Sequence, residues 1–365
     1  MSVLQAAAET YLCCPQCREQ KLSLVESTLV CRQCQAVYQA DPGRGFAALL
    51  APEVAEQSAK QDIQKWWGDL YAQLYKETDD TLTPDRLYRM VDQFEGLMTA
   101  RHHLAVMEMP LAKVAGKRVL EIGPGGGGHS CLFKKYGAKV VAADITPERA
   151  ISTAGKLTLM EGPESLAFNA DGENLPFADN CFDIVYSNGV LHHSLDTDKC
   201  IDEVYRVLKP GGRAVIMLYS RHSASYWLNI VPRALITGEM FRWPEPQWIG
   251  RLTEGRPKHG ETKNPFTRVY SAAQMIQAFR RFDIESLRKS SFQFDNFCIP
   301  KLSQVRHKLM ELFGRQAHPG GVLVYGKSFM TETRTELLLG RYLGFAWNIV
   351  ARKSRGEADV TDAAL

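Results

Sequence analysis

The 365-residue sequence contains no apolar run of the roughly 20 residues that a membrane-spanning helix needs. The first residues, MSVLQAAAETYLCC, have no Lys or Arg before their apolar stretch, so they do not fit a secretory signal peptide. Neither sign of charge is in large excess, because 44 Lys and Arg stand against 41 Asp and Glu. We therefore expect no membrane association, and the charge by itself does not indicate a nucleic-acid partner.

The sequence also lacks the cysteine pattern of a disulfide framework. Its nine cysteines are odd in number, and four of them are scattered: Cys131, Cys181, Cys200 and Cys298. Disulfide-stabilised proteins normally carry an even number at close spacing. The usage predicts a reducing compartment, the cytoplasm.

The remaining cysteines cluster near the start of the chain in the stretch CCPQCREQKLSLVESTLVCRQC. Two Cys-x-x-Cys turns, Cys14 with Cys17 and Cys31 with Cys34, are separated by 13 residues. Such turns can direct four thiolates at one tetrahedral zinc ion and leave no open position for substrate. We predict a structural zinc ribbon over residues 1–50, with Cys13 as an alternative ligand to Cys14. Free thiols in a hairpin and a redox pair are the weaker alternatives.

Residues 51–115 are helical in pattern and form a predicted linker or lid. The stretch DIQKWWGDLYAQLY places Trp67, Tyr71 and two leucines on one helix face. This aromatic stripe is either a buried core face or a lid over a ligand. A second helical stretch carries His102 and His103, which we expect at the surface or in packing.

From residue 116 onward, short apolar strands alternate with helical stretches. This alternation predicts an α/β fold with right-handed βαβ units and a parallel sheet. The predicted divisions are a Rossmann-like core (116–220), a cap (221–270), the C-terminal part of the core with an insertion at 292–343 (271–353), and a disordered tail (354–365).

A glycine-rich loop follows the first strand of the predicted core in the stretch EIGPGGGGH. Gly123, Gly125 and Gly128 satisfy the dinucleotide pattern G-x-G-x-x-G, and Gly127 in place of Gly128 satisfies G-x-G-x-G. Both patterns serve a sharp turn at which the backbone approaches a ligand closely. The loop alone does not distinguish the two ligand classes.

Acidic residues beside the loop favour one of these classes. Asp144 ends the second strand, 21 positions after Gly123, where a carboxylate can bind ribose hydroxyls. Glu121 precedes the first glycine and suits a cationic ligand, such as S-adenosylmethionine, better than a pyrophosphate. Asp171 follows the third strand and can accept from an adenine amino group.

The stretches VLEIGPGGG, AADI, ADGENLPFADNCFDIV and EVYRVLKPGG together resemble the motifs of class I S-adenosylmethionine-dependent methyltransferases. The resemblance covers roughly residues 117–220 and is closest to the branch that includes the ubiquinone and menaquinone biosynthesis enzymes. It implies a Rossmann-like, seven-stranded, mostly parallel sheet with helices on both faces and an antiparallel pair of strands at one edge. Pro124 departs from the loop pattern, because it has no N–H to offer a ligand.

The resemblance also implies roles for individual residues. Glu121 and the glycine loop would flank the methionine part of the cofactor, and Asp144 and Asp171 would hold its ribose and adenine. Further positions complete the expected cofactor site: Gly123, Gly125, Gly127, Ile145, Gly172, Ser187 and Asn188.

Two histidines follow the fourth strand in the stretch NGVLHHS. His192 and His193 lie near the place where the methyl group should emerge, and either can act as a base or only pack. The cap is basic, with eight Lys and Arg against four Glu in residues 221–268. We expect it to favour an anionic acceptor, with Arg256 and Lys258 contributing to the KM.

The sequence thus predicts a methyltransferase that uses S-adenosylmethionine on a small-molecule acceptor and carries a structural Zn²⁺. Ribosomal RNA guanine methyltransferases with an N-terminal zinc ribbon keep a second function open, in which the ribbon grips RNA. A non-catalytic adaptor that uses the same fold is the third. The acceptor atom and the oligomeric state stay open.

Overall fold

The computed structural model of the chain describes residues 2–254, 263–318 and 330–354. The predicted basic residues Arg256 and Lys258 and all but the first residue of the predicted tail lie outside these ranges.

The strands form one mixed sheet, in the order β1-β2-β3-β4-β7-β6-β5-β8-β9-β11-β10. They are β1 (Leu22–Val25), β2 (Thr28–Cys31), β3 (Val37–Asp41), β4 (Phe46–Ala48), β5 (Arg118–Ile122), β6 (Lys139–Asp144), β7 (Leu166–Asn169), β8 (Phe182–Asn188), β9 (Leu208–Tyr219), β10 (Phe282–Ser290) and β11 (Ala346–Lys353).

The helices cover both faces of the sheet and build the segments added to it. They are α1 (Val3–Thr10), α2 (Pro52–Glu56), α3 (Ser58–Asp80), α4 (Pro84–Ala100), α5 (Leu104–Met107), α6 (Gly128–Lys135), α7 (Pro147–Leu159), α8 (Thr197–Val207), α9 (Val231–Thr237), α10 (Glu239–Arg242), α11 (Glu245–Thr253), α12 (Ala272–Ala278), α13 (Leu302–Leu312) and α14 (Arg334–Leu343).

Strands β5 to β11 form the seven-stranded sheet that the sequence predicts. Strands β5 to β9 pair in parallel, and β11 pairs antiparallel with both β9 and β10. The central strands β5 and β6 are almost entirely buried because helices cover both of their faces, which explains their continuous apolar sequences. The fold-class prediction is confirmed.

The cysteine-rich segment extends this sheet. Strand β4 pairs in parallel with β7, and β1, β2 and β3 continue outward from it as antiparallel strands. The apolar core is shared as well, since the Tyr11 ring lies 6.3 Å from Phe177 and 6.0 Å from Phe182. Residues 1–50 therefore pack as an addition to the edge of the large sheet, and their division as a separate domain stays a prediction.

Helix α3 runs across the carboxyl ends of the parallel strands. Its buried Lys60 reaches Asp171 just beyond β7, and Tyr71 and Tyr75 contact the glycine loop after β5. A helix in this position covers the edge of the sheet at which ligands of open α/β folds bind. Within the described ranges, no helix is both long enough and apolar enough to cross a membrane.

Candidate active site

One cavity of about 400 Å³ opens at the carboxyl ends of β5, β6, β7 and β8, beneath α3. Its volume lies in the range of ordinary ligand pockets. Eight of the twelve predicted cofactor-binding and catalytic residues line it: Gly123, Gly125, Asp144, Ile145, Asp171, Gly172, Asn188 and His193. The fold thus brings motifs that are up to 70 positions apart to the same cavity.

The glycine loop forms one wall of the cavity, and the structure explains why two of its positions require glycine. Gly123 and Gly125 adopt positive φ angles of +74° and +54°, which side chains disfavour. A Cβ atom on Gly123 would overlap Val190, and one on Gly125 would lie 2.9 Å from the Tyr71 hydroxyl. The loop thus packs closely against Val190 and Tyr71, which line the same cavity, and leaves no room for side chains at these two positions.

Asp144 forms the next part of the wall, at the end of β6. Its Oδ1 accepts hydrogen bonds from the backbone N–H of Thr146 at 2.9 Å and from the Thr146 hydroxyl at 2.7 Å. Burial outweighs these bonds and raises the pKa of Asp144 to about 6. The carboxylate is therefore held in place and desolvated, ready to accept from hydroxyl donors.

Asp171 lies beyond β7 in a buried ion-pair cluster that the sequence did not suggest. The Lys60 ammonium group pairs with Asp171 and lies 2.9 Å from Glu173. Asp171 also accepts from the backbone N–H of Glu173 at 3.0 Å. The carboxylate that was expected to meet adenine is thus shared with a lysine from α3.

Three expected cofactor residues do not line the cavity. The Glu121 carboxylate accepts from the Ser130 hydroxyl and lies 3.4 Å from Nδ1 of His129, behind the loop. Ser187 donates to the carbonyl of Ile122 at 3.0 Å, and Gly127 is the N-cap residue of helix α6. Their expected contacts with the cofactor stay predictions.

The two candidate histidines sit in one 3₁₀ turn, Leu191–His193, but in different surroundings. His192 is completely buried and does not line the cavity, and its ring lies 3.9 Å from that of Tyr219. His193 lines the cavity, and its ring makes an edge contact with Trp67 at 5.0 Å. Burial lowers the pKa of both imidazoles, so both are held neutral near neutral pH.

Residues from the cap surround His193. Its Nδ1 lies 3.0 Å from the carbonyl oxygen of Phe266 and 2.9 Å from the Thr267 hydroxyl. On the other side, its Nε2 lies 3.8 Å from the carboxylate of Glu254, which also lines the cavity. The cap thus contributes directly to the wall around this histidine.

Several lining residues carried no motif in the sequence. Trp67, Tyr71 and Tyr75 line the cavity at the helical spacing i, i+4, i+8, which supports the lid alternative for the α3 stripe. His103 also lines it and stacks on His129 at 5.3 Å, although we expected it to be a surface or packing residue. The helical spacing of the aromatic residues was the sequence signal behind the lid alternative.

Three lining side chains keep a buried polar atom without a hydrogen-bond partner among the described residues: Nε2 of His129, Oδ1 of Asn188 and Nε2 of His193. Buried polar atoms are nearly always paired, so these atoms indicate that a polar ligand belongs in the cavity. The open glycine loop, the Asp144 carboxylate and these atoms together fit S-adenosylmethionine.

The four predicted metal ligands, near the N-terminus, converge in the structure. The Sγ atoms of Cys14, Cys17, Cys31 and Cys34 all lie within 4.8 Å of one another. Burial raises the pKa of Cys31, but the backbone N–H groups of Cys34 and Gln33 outweigh it and lower the pKa below its usual range. This geometry can hold a metal ion through four thiolates.

Comparison with known proteins identifies the central segment. Residues 120–216 match a family model described as a methyltransferase domain. A demethylmenaquinone methyltransferase of Clavibacter sepedonicus is 40% identical over 111 residues, which is 30% of this chain and 44% of that protein. A ubiquinone/menaquinone biosynthesis C-methyltransferase of Haemophilus ducreyi is 36% identical over 110 residues, 29% of this chain and 42% of that protein.

Solved structures resemble the chain at lower identity. A SAM-dependent methyltransferase of Methanosarcina mazei is 19% identical, with a TM-score of 0.42, and the match covers 66% of this chain and 93% of that one.

Residues 120–216 therefore carry a methyltransferase domain within the Rossmann-like sheet. That segment is similar to the demethylmenaquinone and ubiquinone/menaquinone methyltransferases of Clavibacter sepedonicus and Haemophilus ducreyi. The chain spans less than half the length of these two relatives.

Proposed function

We propose that the protein transfers a methyl group from S-adenosylmethionine to a small-molecule acceptor. The observation that carries the proposal is that the glycine loop, Asp144 and His193 line one cavity, so cofactor and acceptor sides are continuous. The names of the relatives, which speak of demethylmenaquinone and ubiquinone or menaquinone biosynthesis, add support for a small-molecule acceptor.

In this proposal the cofactor side of the cavity divides along the strand ends. The glycine loop holds the methionine part, Asp144 with Ile145 the ribose, and Asp171 with Gly172 the adenine. Lys60 must then share Asp171 with the ligand or withdraw from it. Asn188 and His193 face the acceptor.

The bound cofactor supplies a methyl group that is already activated by its sulfonium. What the chain must contribute is alignment of the acceptor and exclusion of water. Trp67 and Tyr71, which line the cavity from α3, support both tasks because they form an apolar roof next to the glycine loop. A roof of this kind limits entry to molecules that fit beneath a helix.

The anionic character of the acceptor is not part of the proposal. Described basic residues of the cap face carboxylates: Arg221 lies 2.7 Å from Glu245, and Arg251 lies 2.7 Å from Glu239. These pairs neutralise part of the positive charge of the cap. Arg256 and Lys258, which were expected to contribute to the KM, lie outside the described residues.

For the cysteine cluster we propose a structural Zn²⁺ held by Cys14, Cys17, Cys31 and Cys34. Four protein ligands leave no coordination position for substrate, so the metal would stabilise the ribbon and take no part in methyl transfer. We also propose a reducing, cytoplasmic location, since none of the nine cysteines, all of which lie in the described ranges, forms a disulfide.

The test uses purified protein and S-adenosylmethionine labelled on its methyl group. Two acceptor pools are prepared from cells that lack the protein: total RNA and a small-metabolite extract. We expect label in the metabolite pool, where mass spectrometry then identifies the acceptor. Label in RNA would replace the proposal with a base methyltransferase, and no transfer in spite of S-adenosylhomocysteine binding would favour the adaptor.

A further inference from the structure

We propose that His193 accepts the proton of the methyl acceptor at its Nε2 atom, and that Glu254 from the cap is the positioning residue that stabilises the resulting imidazolium. The inference rests on the proposed methyl transfer and deepens it. It requires an acceptor whose reacting atom carries hydrogen, such as a hydroxyl, an amine, a thiol or an acidic carbon.

The first step of the argument is the tautomer of His193. Its Nδ1 lies 3.0 Å from the carbonyl oxygen of Phe266, an atom that can only accept a hydrogen bond. The Thr267 hydroxyl, at 2.9 Å from Nδ1, donates to the same Phe266 carbonyl and can therefore accept from Nδ1. The Asn264 amide lies 3.3 Å from Nδ1 and donates to the Thr267 hydroxyl at 3.1 Å. We therefore assign the imidazole hydrogen to Nδ1, which leaves the lone pair on Nε2.

The second step is what faces that lone pair. Nε2 of His193 is buried and has no hydrogen-bond partner among the described residues, and Oε1 of Glu254 lies 3.8 Å away. Oε1 also accepts from the Tyr219 hydroxyl at 2.7 Å, which fixes its position. Two hydrogen-bond acceptors, Nε2 of His193 and Oε1 of Glu254, thus face the same part of the cavity. A ligand group that carries a hydrogen can donate it there.

The third step is the charge balance. The titratable groups that face His193 are Glu254 at the end of α11, Tyr219 at the end of β9 and His192 in the same turn. Burial lowers the pKa of His193, and the Glu254 charge acts in the opposite direction. The imidazole is thus neutral before transfer, and the carboxylate stabilises the cation that forms.

The reaction balances with these groups alone. The proton of the acceptor moves to Nε2, and the electron pair that it leaves behind forms the bond to the methyl carbon. The carbon–sulfur bond breaks, its electron pair stays on sulfur, and the products are the methylated acceptor and S-adenosylhomocysteine. An acceptor with no hydrogen on its reacting atom would leave His193 and Glu254 without a role.

The sequence placed His192 and His193 on an equal footing, and the structure separates them. His192 lies outside the cavity, and neither of its ring nitrogens has a hydrogen-bond partner within the described ranges. His192→Phe keeps an aromatic ring against Tyr219 and is therefore a matched control for variants of its neighbour.

The experiment measures methyl transfer against pH, with the metabolite fraction that the wild type labels as acceptor. We expect His193→Gln to lower kcat by about 100- to 10,000-fold, the usual contribution of a general base, and to remove the acid limb of the profile. Glu254→Gln should lower kcat by about 10- to 100-fold, as for a lost hydrogen bond to a charged group. It should also move the acid limb to lower pH, because the charge that raised the pKa of His193 is gone.

Calorimetric titration with S-adenosylhomocysteine shows whether each variant is folded, and its affinity should change little. An unchanged acid limb in His193→Gln, or its loss in His192→Phe, would overturn the inference while leaving the methyl transfer intact.

A second readout does not depend on activity. Nitrogen NMR of ¹⁵N-histidine-labelled protein bound to S-adenosylhomocysteine should show His193 with hydrogen on Nδ1 and a bare Nε2. Hydrogen on Nε2 at neutral pH would contradict the inference. If the wild type labels no acceptor at all, the proposed function fails, and this spectrum still decides the tautomer.

Discussion

The cysteine cluster and the cavity are two polar sites of the same molecule, and they differ in how their polar atoms are paired. In the cluster, the Sγ atoms of Cys14 and Cys34 lie 3.6 Å apart, as do those of Cys17 and Cys31. In the cavity, by contrast, polar atoms of Asn188, His129 and His193 are buried without partners among the described residues.

This difference distinguishes a structural metal site from a ligand-binding site. Four converging thiolates complete a tetrahedral shell by themselves, so nothing further can enter. The cavity, in contrast, lacks hydrogen-bond partners for several atoms, and each unpaired buried polar atom costs free energy until a ligand binds it. Strands β4 and β7 connect the two sites, since they pair with each other between the ribbon and the core.

The largest effect on stability that we predict from this comparison follows from disrupting the cysteine cluster. We expect the double variant Cys14→Ser/Cys31→Ser to lose its bound zinc and more than about 4 kcal/mol of unfolding free energy, as for loss of other structural metals. For a chain of this size the melting temperature should fall by roughly 10 °C. Elemental analysis and calorimetry measure the two quantities, and Cys298→Ser, at a cysteine outside the cluster, is the control.

The same variant should still bind S-adenosylhomocysteine at temperatures at which it is folded, because β7 is the one strand of the parallel core with which β4 pairs in the described sheet. If the folded variant cannot bind this ligand, the two sites form one functional unit and the comparison breaks down.

A smaller effect should follow from removing the charge at the end of β6. Asp144→Asn should weaken S-adenosylhomocysteine binding by about 10- to 100-fold, since hydrogen bonds from ribose hydroxyls to a carboxylate are lost. In the wild type the affinity should also fall as the pH drops below about 6, because Asp144 then takes up a proton. Above pH 7 the affinity should level off, and the variant should show no such dependence.

Isothermal titration between pH 5 and pH 8 checks both parts. Asp183→Asn, at the opposite end of the sheet beside Lys209, is the matched control and should keep the wild-type profile. Equal pH dependence in the wild type and Asp144→Asn would remove Asp144 from the proposed ribose site.

A still smaller effect is expected at the glycine loop. Gly125→Ala forces a side chain into a left-handed backbone conformation and against Tyr71, which should cost about 1–2 kcal/mol. Gly155→Ala is the control, because its Cβ atom on helix α7 meets open space and should stabilise the protein by up to about 1 kcal/mol. Thermal unfolding of both variants with and without S-adenosylhomocysteine separates strain from lost binding. Equal unfolding temperatures for both variants would mean that α3 does not rest on the loop.

The smallest effect should come from Cys13→Ser. Cys13 is buried, and its backbone N–H donates to the carbonyl of Pro176, but its sulfur is not among the four converging atoms. We expect full zinc content and a loss of stability below about 1 kcal/mol. Zinc loss in this variant would make Cys13 the ligand in place of Cys14 and reopen the alternative that the sequence left.

The parts of the fold that the sequence predicted are those with local signals. The apolar stretches of β5 and β6 and the glycine turn between them follow from strand periodicity and from the backbone angles that Gly123 and Gly125 need. The spacing of the four cysteines likewise predicted their convergence, because each turn presents two thiolates by itself.

Contacts between distant segments left no such signal. Lys60 meets Asp171 across 111 positions, and Glu254 meets His193 across 61. Nothing in the stretch around either residue distinguishes it from an exposed charge. The parallel pairing of β4 with β7 was hidden for the same reason, since a three-residue strand has too little pattern to indicate its partner.

The sequence by itself therefore determined the fold class of the core, its alternation of strands and helices, and the positions of its candidate cofactor and metal motifs, because periodicity, glycine geometry and ligand spacing are local properties. The tertiary structure alone decided which of two adjacent histidines faces the cavity and which carboxylate faces that histidine. It also decided that the ribbon continues the sheet. These outcomes depend on packing between segments far apart in the chain, where burial and electrostatics act through space and not along the sequence.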